Sequence, residues 1–369
     1  MQGIGIFGSP GRYVQGAGAV NLIGHFASLL GKRATLVADP LVMNLAGDRI
    51  VTSCEKSGVQ INCLAFEGEL TFDLVSRLTT ECEVTRPDFI IAAGGGRSID
   101  TGKALSKKMG CPIITVPTAA SNDAPTSKNY VLYDEHHRLA AVEHLISSPA
   151  YVVVDTALIA NAPAALLRAG IGDAIAKKFE ADQCAAALAG LNMFQARPLA
   201  SARVLSDACF ATLLDDAAAA LQVAGTGRPN TAFERVVEAT ILMAGLGFES
   251  GGLSVAHAMT RGLSVLREVN RTPHGFQVAY GLLVQIELEQ RNDGIRERIE
   301  QFHADTGLPR SLAQLGLQNV LAEELDTVAE LTLAAPHAKN FKRVLTQKDI
   351  VAAMLEVERR AQIGVLVTT

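Results

Sequence analysis

Phe89-Ile90-Ile91-Ala92-Ala93-Gly94-Gly95-Gly96-Arg97-Ser98-Ile99-Asp100-Thr101-Gly102-Lys103 decides how the chain folds. The apolar run Phe89–Ala93 is too short for a helix and reads as a buried strand of a parallel sheet. Three glycines then remove every Cβ at the turn, so a ligand can lie against bare backbone. A helix-forming segment follows at once. Its first N–H groups have no intrahelical partner and carry the positive end of the helix dipole. An anion, most naturally a phosphate, fits there. A tight strand-to-helix turn that binds nothing is the alternative.

At 369 residues the chain exceeds one hydrophobic core, which predicts two domains. A 49% apolar, 19% charged composition is that of an ordinary globular protein. A net charge of −5 supplies no basic field, so no nucleic-acid partner is expected. No apolar run reaches about 18 residues, and no membrane span is predicted. Met1–Pro10 lacks a basic leader and a long apolar core, so no secretory signal is expected. Six scattered cysteines form no C-x-x-C pair, which favours free thiols in a reducing cytoplasm.

Strands and helices alternate through the first half. Gly18–Leu30 reads as a helix, Arg33–Ala38 as a strand closed by Asp39-Pro40, and a helix follows to about Gly58. Next come a strand over Val59–Phe66, a helix over Phe72–Thr85, the glycine-turn strand, a helix over Ser98–Met109 and a strand over Pro112–Val116. Pro117–Ser127 is a long polar loop, and Tyr130–Tyr133 and Tyr151–Val154 are further strands. This alternation predicts a doubly wound parallel sheet. Gly3-Ile4-Gly5-Ile6-Phe7-Gly8 matches G-x-G-x-x-G by letter, but no strand precedes it and Ser9-Pro10-Gly11 follows where a helix should open. It is a decoy.

Past about Ala162 the strands stop. Helices are expected over 164–182, 197–223, 253–264, 276–290, 294–306, 319–333 and 347–361. Thr231-Ala232-Phe233-Glu234 reads as a capping box opening another. The expected organisation is an α/β domain over 1–162 and a helical domain over 163–369, with the site in the cleft between them.

Asp39 stands at the end of the second strand, where an acidic side chain can accept from ribose hydroxyls and repel a 2′-phosphate, favouring NAD over NADP. A turn-forming Asp before Pro is the competing reading. In the helical half, Asp173, His257 and His274 have the residue types of a metal site. Along one straight helix the two histidines would be about 25 Å apart. They meet only if the chain turns between them, which Gly262, Asn270 and Pro273 allow. One carboxylate and two imidazoles give a three-ligand site with an open position, the pattern of catalytic zinc. A hydrogen-bonded core histidine is the plainer reading of His257.

Gly94–Lys103, Pro117–Pro125, Gly170–Ala174, Gly247–His257 and Pro273-His274-Gly275, with Ser9–Gly16, resemble in order the glycerol dehydrogenase branch of the iron-containing alcohol dehydrogenase superfamily. The likeness weakens after about Gly307. It implies an α/β class with an N-terminal Rossmann-like domain, an all-helical C-terminal domain, and a divalent metal in the cleft. It also implies NAD as cofactor, Zn²⁺ as the metal (another divalent ion being possible), glycerol as substrate and ring-shaped homo-oligomers such as an octamer. Carried over by position, Asp173, His257 and His274 would hold the metal and Asp123 a substrate hydroxyl. Gly94, Gly95, Gly96, Arg97, Ser98 and Asp100, with Thr118 and Ser121, would cradle the pyrophosphate and nicotinamide. Ser127, Asn129 and Tyr133 would line the nicotinamide side, and Asp39 the adenosine ribose.

Some positions depart from that pattern. Arg97 stands where Lys is usual, Gln277 where Glu is common after the His-Gly pair, and Asn129 where Leu is common. Arg271-Thr272-Pro273 replaces a more aromatic or His-containing lead-in. These bear on the substrate more than on the chemistry. The same architecture also hosts sugar-phosphate cyclases of the dehydroquinate synthase type and glycerol-1-phosphate dehydrogenases, which need basic groups for a substrate phosphate. A non-catalytic NAD-binding relative would need a missing ligand or a broken glycine turn. His136-His137 reads as a solvated hairpin, and His337 as outside the ligand set.

Overall fold

The structure is a computed structural model that describes residues 3–135 and 139–367, so His136 and His137 lie outside the described residues. Its chain forms two compact units, one of residues 9–167 and 222–245 and one of residues 1–8, 168–221 and 246–369.

The first unit is built on a six-stranded, wholly parallel sheet. Its strands are β1 (Arg12–Gly16), β2 (Arg33–Ala38), β3 (Gln60–Ala65), β4 (Phe89–Gly94), β5 (Ile113–Pro117) and β8 (Tyr151–Asp155), in the order β1-β8-β5-β4-β2-β3. β6 (Asn129–Tyr133) and β7 (Leu139–His144) form a separate antiparallel pair. Alternate residues of the sheet feed two cores. Leu36, Phe89, Ile91, Ile114 and Val153 enter one, and Val37, Ile90, Ala92 and Ile113 the other. A sheet covered on both faces needs continuous apolar strands, and β4 is buried at all six positions.

β3 and β4 lie on opposite sides of β2, so the strand order reverses between β2 and β4. Ligands of open α/β sheets bind at the carboxyl ends of strands at such a reversal. Asp39 follows β2 there, and Gly94 ends β4.

Two strands escaped the sequence reading. β1 borders the sheet as Arg12-Tyr13-Val14-Gln15-Gly16, without an apolar run, and β7 is mostly exposed. Gly18–Leu30 is not one helix but a 3₁₀ turn, Ala19–Leu22, and a short helix, Ile23–Ala27. The cap near Thr231 shifts by one residue. Asn230 accepts from Phe233 N and caps the helix, while Glu234 accepts from Thr156 Oγ1 (2.6 Å) and Gln15 Nε2 (3.2 Å). Asn is as good a cap as Thr.

The second unit is helical. Lys177–Ala186, Val255–Leu263, His274–Glu289, Ile295–Thr306 and Ala322–Ala334 are among its helices. Phe179, Met259, Tyr280 and Val284 are fully buried in it. The expected helix over 164–182 breaks in the middle, into Ala164–Ala174 and Lys177–Ala186. The decoy segment Gly3–Gly8 belongs to this unit; it forms an isolated bridge, Gly5 to Arg197, and Gly8 N donates to Ser250 Oγ (3.1 Å).

Candidate active site

Asp173, His257 and His274 come together in the helical unit, with one potential ligand atom from each lying within 4.8 Å of the others. Asp173 and His257 are buried, whereas His274 is exposed and opens one side of the cluster. The two imidazole centroids are 5.5 Å apart.

Glycine makes this meeting possible. Gly172 precedes Asp173, and a Cβ on it would lie 2.5 Å from the carbonyl oxygen of Gly275, the residue after His274. A Cβ on Gly275 would overlap the Ala169 carbonyl. Farther along the same helix, a Cβ on Gly281 would overlap the Ala256 carbonyl, one residue before His257. Bare backbone at these crossings lets three helix segments approach closely enough for their side chains to share one site. The turn between the histidines is held by Gln277, whose buried amide donates to Val269 O (3.2 Å) and Thr272 O (3.4 Å). A carboxylate could not donate at either carbonyl.

Two further residues, outside the predicted site residues, join the cluster. Lys177 Nζ, fully buried, donates to Asp173 Oδ1 at 2.7 Å and lies 3.0 Å from His257 Nε2. Glu180 Oε2 accepts from His257 Nδ1 at 2.6 Å. Asp173, Lys177 and Glu180 follow one another at i, i+4 and i+7, the spacing of one helical face, which is the signal that marks them in the sequence. Burial alone would raise the Asp173 carboxyl, but Lys177 and then His257 overcome it and hold the group ionised. Burial also opposes charge on His257, but the Glu180 carboxylate leads the groups that raise the ring to about 9. His337 sits on the turn Pro336–Asn340; burial, and then the charge of His257, lowers it to about 4.

The other predicted site residues gather in the α/β unit. Gly94 has φ +139°, and a Cβ there would lie 2.5 Å from Ser98 Cβ. The helix Gly96–Met109 starts at Gly95 with no side-chain cap, leaving its first N–H groups for an anion. Ser98 Oγ donates to Asp39 Oδ2 (3.4 Å), and Asp39 Oδ1 accepts from Val42 N (2.9 Å). Asp39 is therefore both the turn residue and a carboxylate beside the glycine turn. Arg97 is exposed and pairs with Glu69 at 3.5 Å.

Asp123 is buried in the loop after β5. Lys103 Nζ, wholly buried, staples that loop by donating to Ala124 O and Asn129 O, each at 2.6 Å. Thr115 Oγ1 adds a bond to Pro125 O (2.8 Å), and Thr118 N donates to Gly94 O (3.1 Å). Asp100 turns toward β6, where its Oδ2 accepts from Val131 N (3.0 Å), and burial above all raises its carboxyl to about 6. Asn129 Oδ1 is 2.6 Å from His144 Nδ1. Ser127 is buried, Ser121 half-buried, and burial pushes the Tyr133 phenol up to about 12.

Residues 10–156 match the family model for iron-containing alcohol dehydrogenases. The glycerol dehydrogenase of Thermotoga maritima is 38% identical over 95% of this chain and 96% of its own length. The glycolaldehyde reductase of Halobacterium salinarum is 37% identical over 88% of this chain and 89% of its own. The crystal structure of glycerol dehydrogenase from Schizosaccharomyces pombe superposes with a TM-score of 0.91 at 33% identity, covering 97% of this chain and 91% of that one. Glycine turn, the Asp173–His257–His274 cluster and likeness over nearly the whole length agree: the chain belongs to the iron-containing alcohol dehydrogenase family, as an oxidoreductase acting on CH–OH that resembles the glycerol dehydrogenases.

Proposed function

We propose that the protein oxidises glycerol, or a close vicinal diol, to the hydroxyketone (dihydroxyacetone from glycerol) with NAD as hydride acceptor and zinc as the metal. The observation that carries this is the convergence of Asp173, His257 and His274 within 4.8 Å, open on the His274 side. One carboxylate and two imidazoles suit zinc, with a position left for substrate. When bound, such an ion supplies Lewis-acid polarisation of a hydroxyl group.

The chain's own residues do the rest. Asp123 accepts a hydrogen bond from a substrate hydroxyl, on a loop that Lys103 keeps in place. The uncapped helix start at Gly95–Gly96 takes the pyrophosphate, with Arg97 and Ser98 in its first turn and Thr118 and Ser121 alongside. Asp39 accepts from the adenosine ribose, which disfavours a 2′-phosphate there. Ser127, Asn129 and Tyr133 line the nicotinamide side. Reduction of a small hydroxyaldehyde is the second reading, and the glycolaldehyde reductase relative supports it. It uses the same residues in reverse. None of the six cysteines is in a disulfide, which suits a cytoplasmic enzyme, and we place the chain in a ring-shaped homo-oligomer.

Metal analysis of a His274→Ala variant tests the ligand assignment. Zinc content should drop severalfold, and full occupancy would sink the assignment.

A further inference from the structure

We infer that Glu180 is the positioning residue of the metal centre, fixing His257 so that Nε2 is the ligating nitrogen while seating the helix that carries it. This rests on reading Asp173, His257 and His274 as metal ligands.

Glu180 is wholly buried, and a buried carboxylate is costly unless its oxygens are hydrogen-bonded. Both oxygens are used, and both serve His257 or its helix. Oε2 accepts from the ring Nδ1 at 2.6 Å. Oε1 accepts from the backbone N–H of Ser254 at 2.9 Å and of His257 itself at 3.0 Å.

Ser254 is the N-cap residue of the helix Val255–Leu263, yet its side chain does not cap it. Its hydroxyl donates instead to Asn340 O at 3.0 Å. Capping is supplied from outside the helix. Gln285 Oε1 accepts from Ala256 N at 3.0 Å, and Glu180 accepts from the N–H groups on either side. An anion at that end also meets the positive pole of the helix dipole.

The chemical consequence follows from what a carboxylate can do. Ionised, it only accepts, so Nδ1 keeps its proton, and Nε2 is the nitrogen that gives up its own when a metal binds. Nε2 is the nitrogen that faces Asp173, 3.1 Å from Oδ1. Glu180 thus sets both the height of the ring, through the backbone, and its tautomer, through the side chain.

Zinc titration against a chromophoric chelator, for the parent, Glu180→Gln, Glu180→Asp and His274→Ala, tests this. The Gln side chain keeps the shape of Glu but presents an N–H group either to Nδ1 or to the helix N–H groups. Zinc affinity should fall about 10–100-fold in the Gln variant, the usual cost of losing such a partner. The Asp variant, which keeps the charge, should recover part of the loss. Nitrogen-15 spectra of the zinc-loaded parent should show His257 protonated on Nδ1 and metallated on Nε2. A role confined to capping would lower the melting temperature of the Gln variant but leave its zinc affinity within twofold of the parent, and that result overturns the inference. Metallation on Nδ1 overturns it too, and decides the matter even if the Gln variant fails to fold. If His274→Ala also binds zinc like the parent, the ligand assignment itself fails. If only that variant loses zinc, the ligands stand and Glu180 does not.

Discussion

Gly172 and Gly275 meet backbone to backbone, each adjacent in sequence to a proposed metal ligand, so that a Cβ on Gly172 would lie 2.5 Å from the Gly275 carbonyl oxygen. Alanine is favoured over glycine in a helix interior by up to about 1 kcal/mol. Overpacking against backbone costs roughly 1–3 kcal/mol or more, because a carbonyl cannot turn aside as a side chain does. The steric term wins. Gly172→Ala and Gly275→Ala should each lower the melting temperature and reduce zinc content, as calorimetry and metal analysis would show. A stabilised, fully loaded variant would contradict the packing account.

Lys177 is the internal counter-ion of Asp173, at 2.7 Å. Its replacement by Met leaves a buried carboxylate without that cation, at a cost of about 3–5 kcal/mol when one partner of such a pair is removed. The metal-free variant should melt well below the parent, and added zinc should restore more stability to it than to the parent. Equal zinc-induced shifts in melting temperature would count against a shared site.

Gln277 donates to two backbone carbonyls in the turn before His274. In Gln277→Glu these acceptors would face a carboxylate that cannot donate unless protonated. A loss of about 1–3 kcal/mol is expected from the unsatisfied buried groups. Urea unfolding at pH 7 should show it, with partial recovery near pH 5 as the new carboxyl takes up a proton.

His303 is fully buried with Nδ1 3.0 Å from Pro309 O, and burial above all pushes its pKa down to about 4. In the unfolded chain it titrates near about 6.5. Between these values the unfolded state binds a proton that the folded state refuses, so stability is complete above about 6.5 and falls as the pH drops toward about 4. The two pKa values differ by about 2.5 units, or roughly 3 kcal/mol. Urea unfolding at pH 7 and 4.5 should show most of this loss in the parent and a smaller one in His303→Gln.

Much of this was legible in the sequence because local signals agreed with the fold. Phe89–Gly94 is both an apolar run and the central buried strand, and Phe72–Thr85 is a helix with the predicted ends. β1 was hidden because an edge strand takes polar residues at positions that a central strand fills with apolar ones. Residue type offered Asp173, His257 and His274 and resemblance singled them out, but their meeting depends on crossings at Gly172, Gly275 and Gly281 that no periodicity reveals. Glu180 and Lys177 lay open at helical spacing from Asp173, but a charge in a helix reads as a solvated face until its burial is seen.

Redox chemistry on a diol is read directly in an absorbance assay. Purified, zinc-loaded protein is mixed with NAD and glycerol, and absorbance of the reduced nicotinamide is followed, with a parallel sample stripped by chelator and reconstituted. Steady NADH formation that disappears on stripping and returns with zinc is expected. No net NADH from glycerol or any vicinal diol, by protein that binds both NAD and zinc, would contradict it, as would undiminished turnover in the stripped sample.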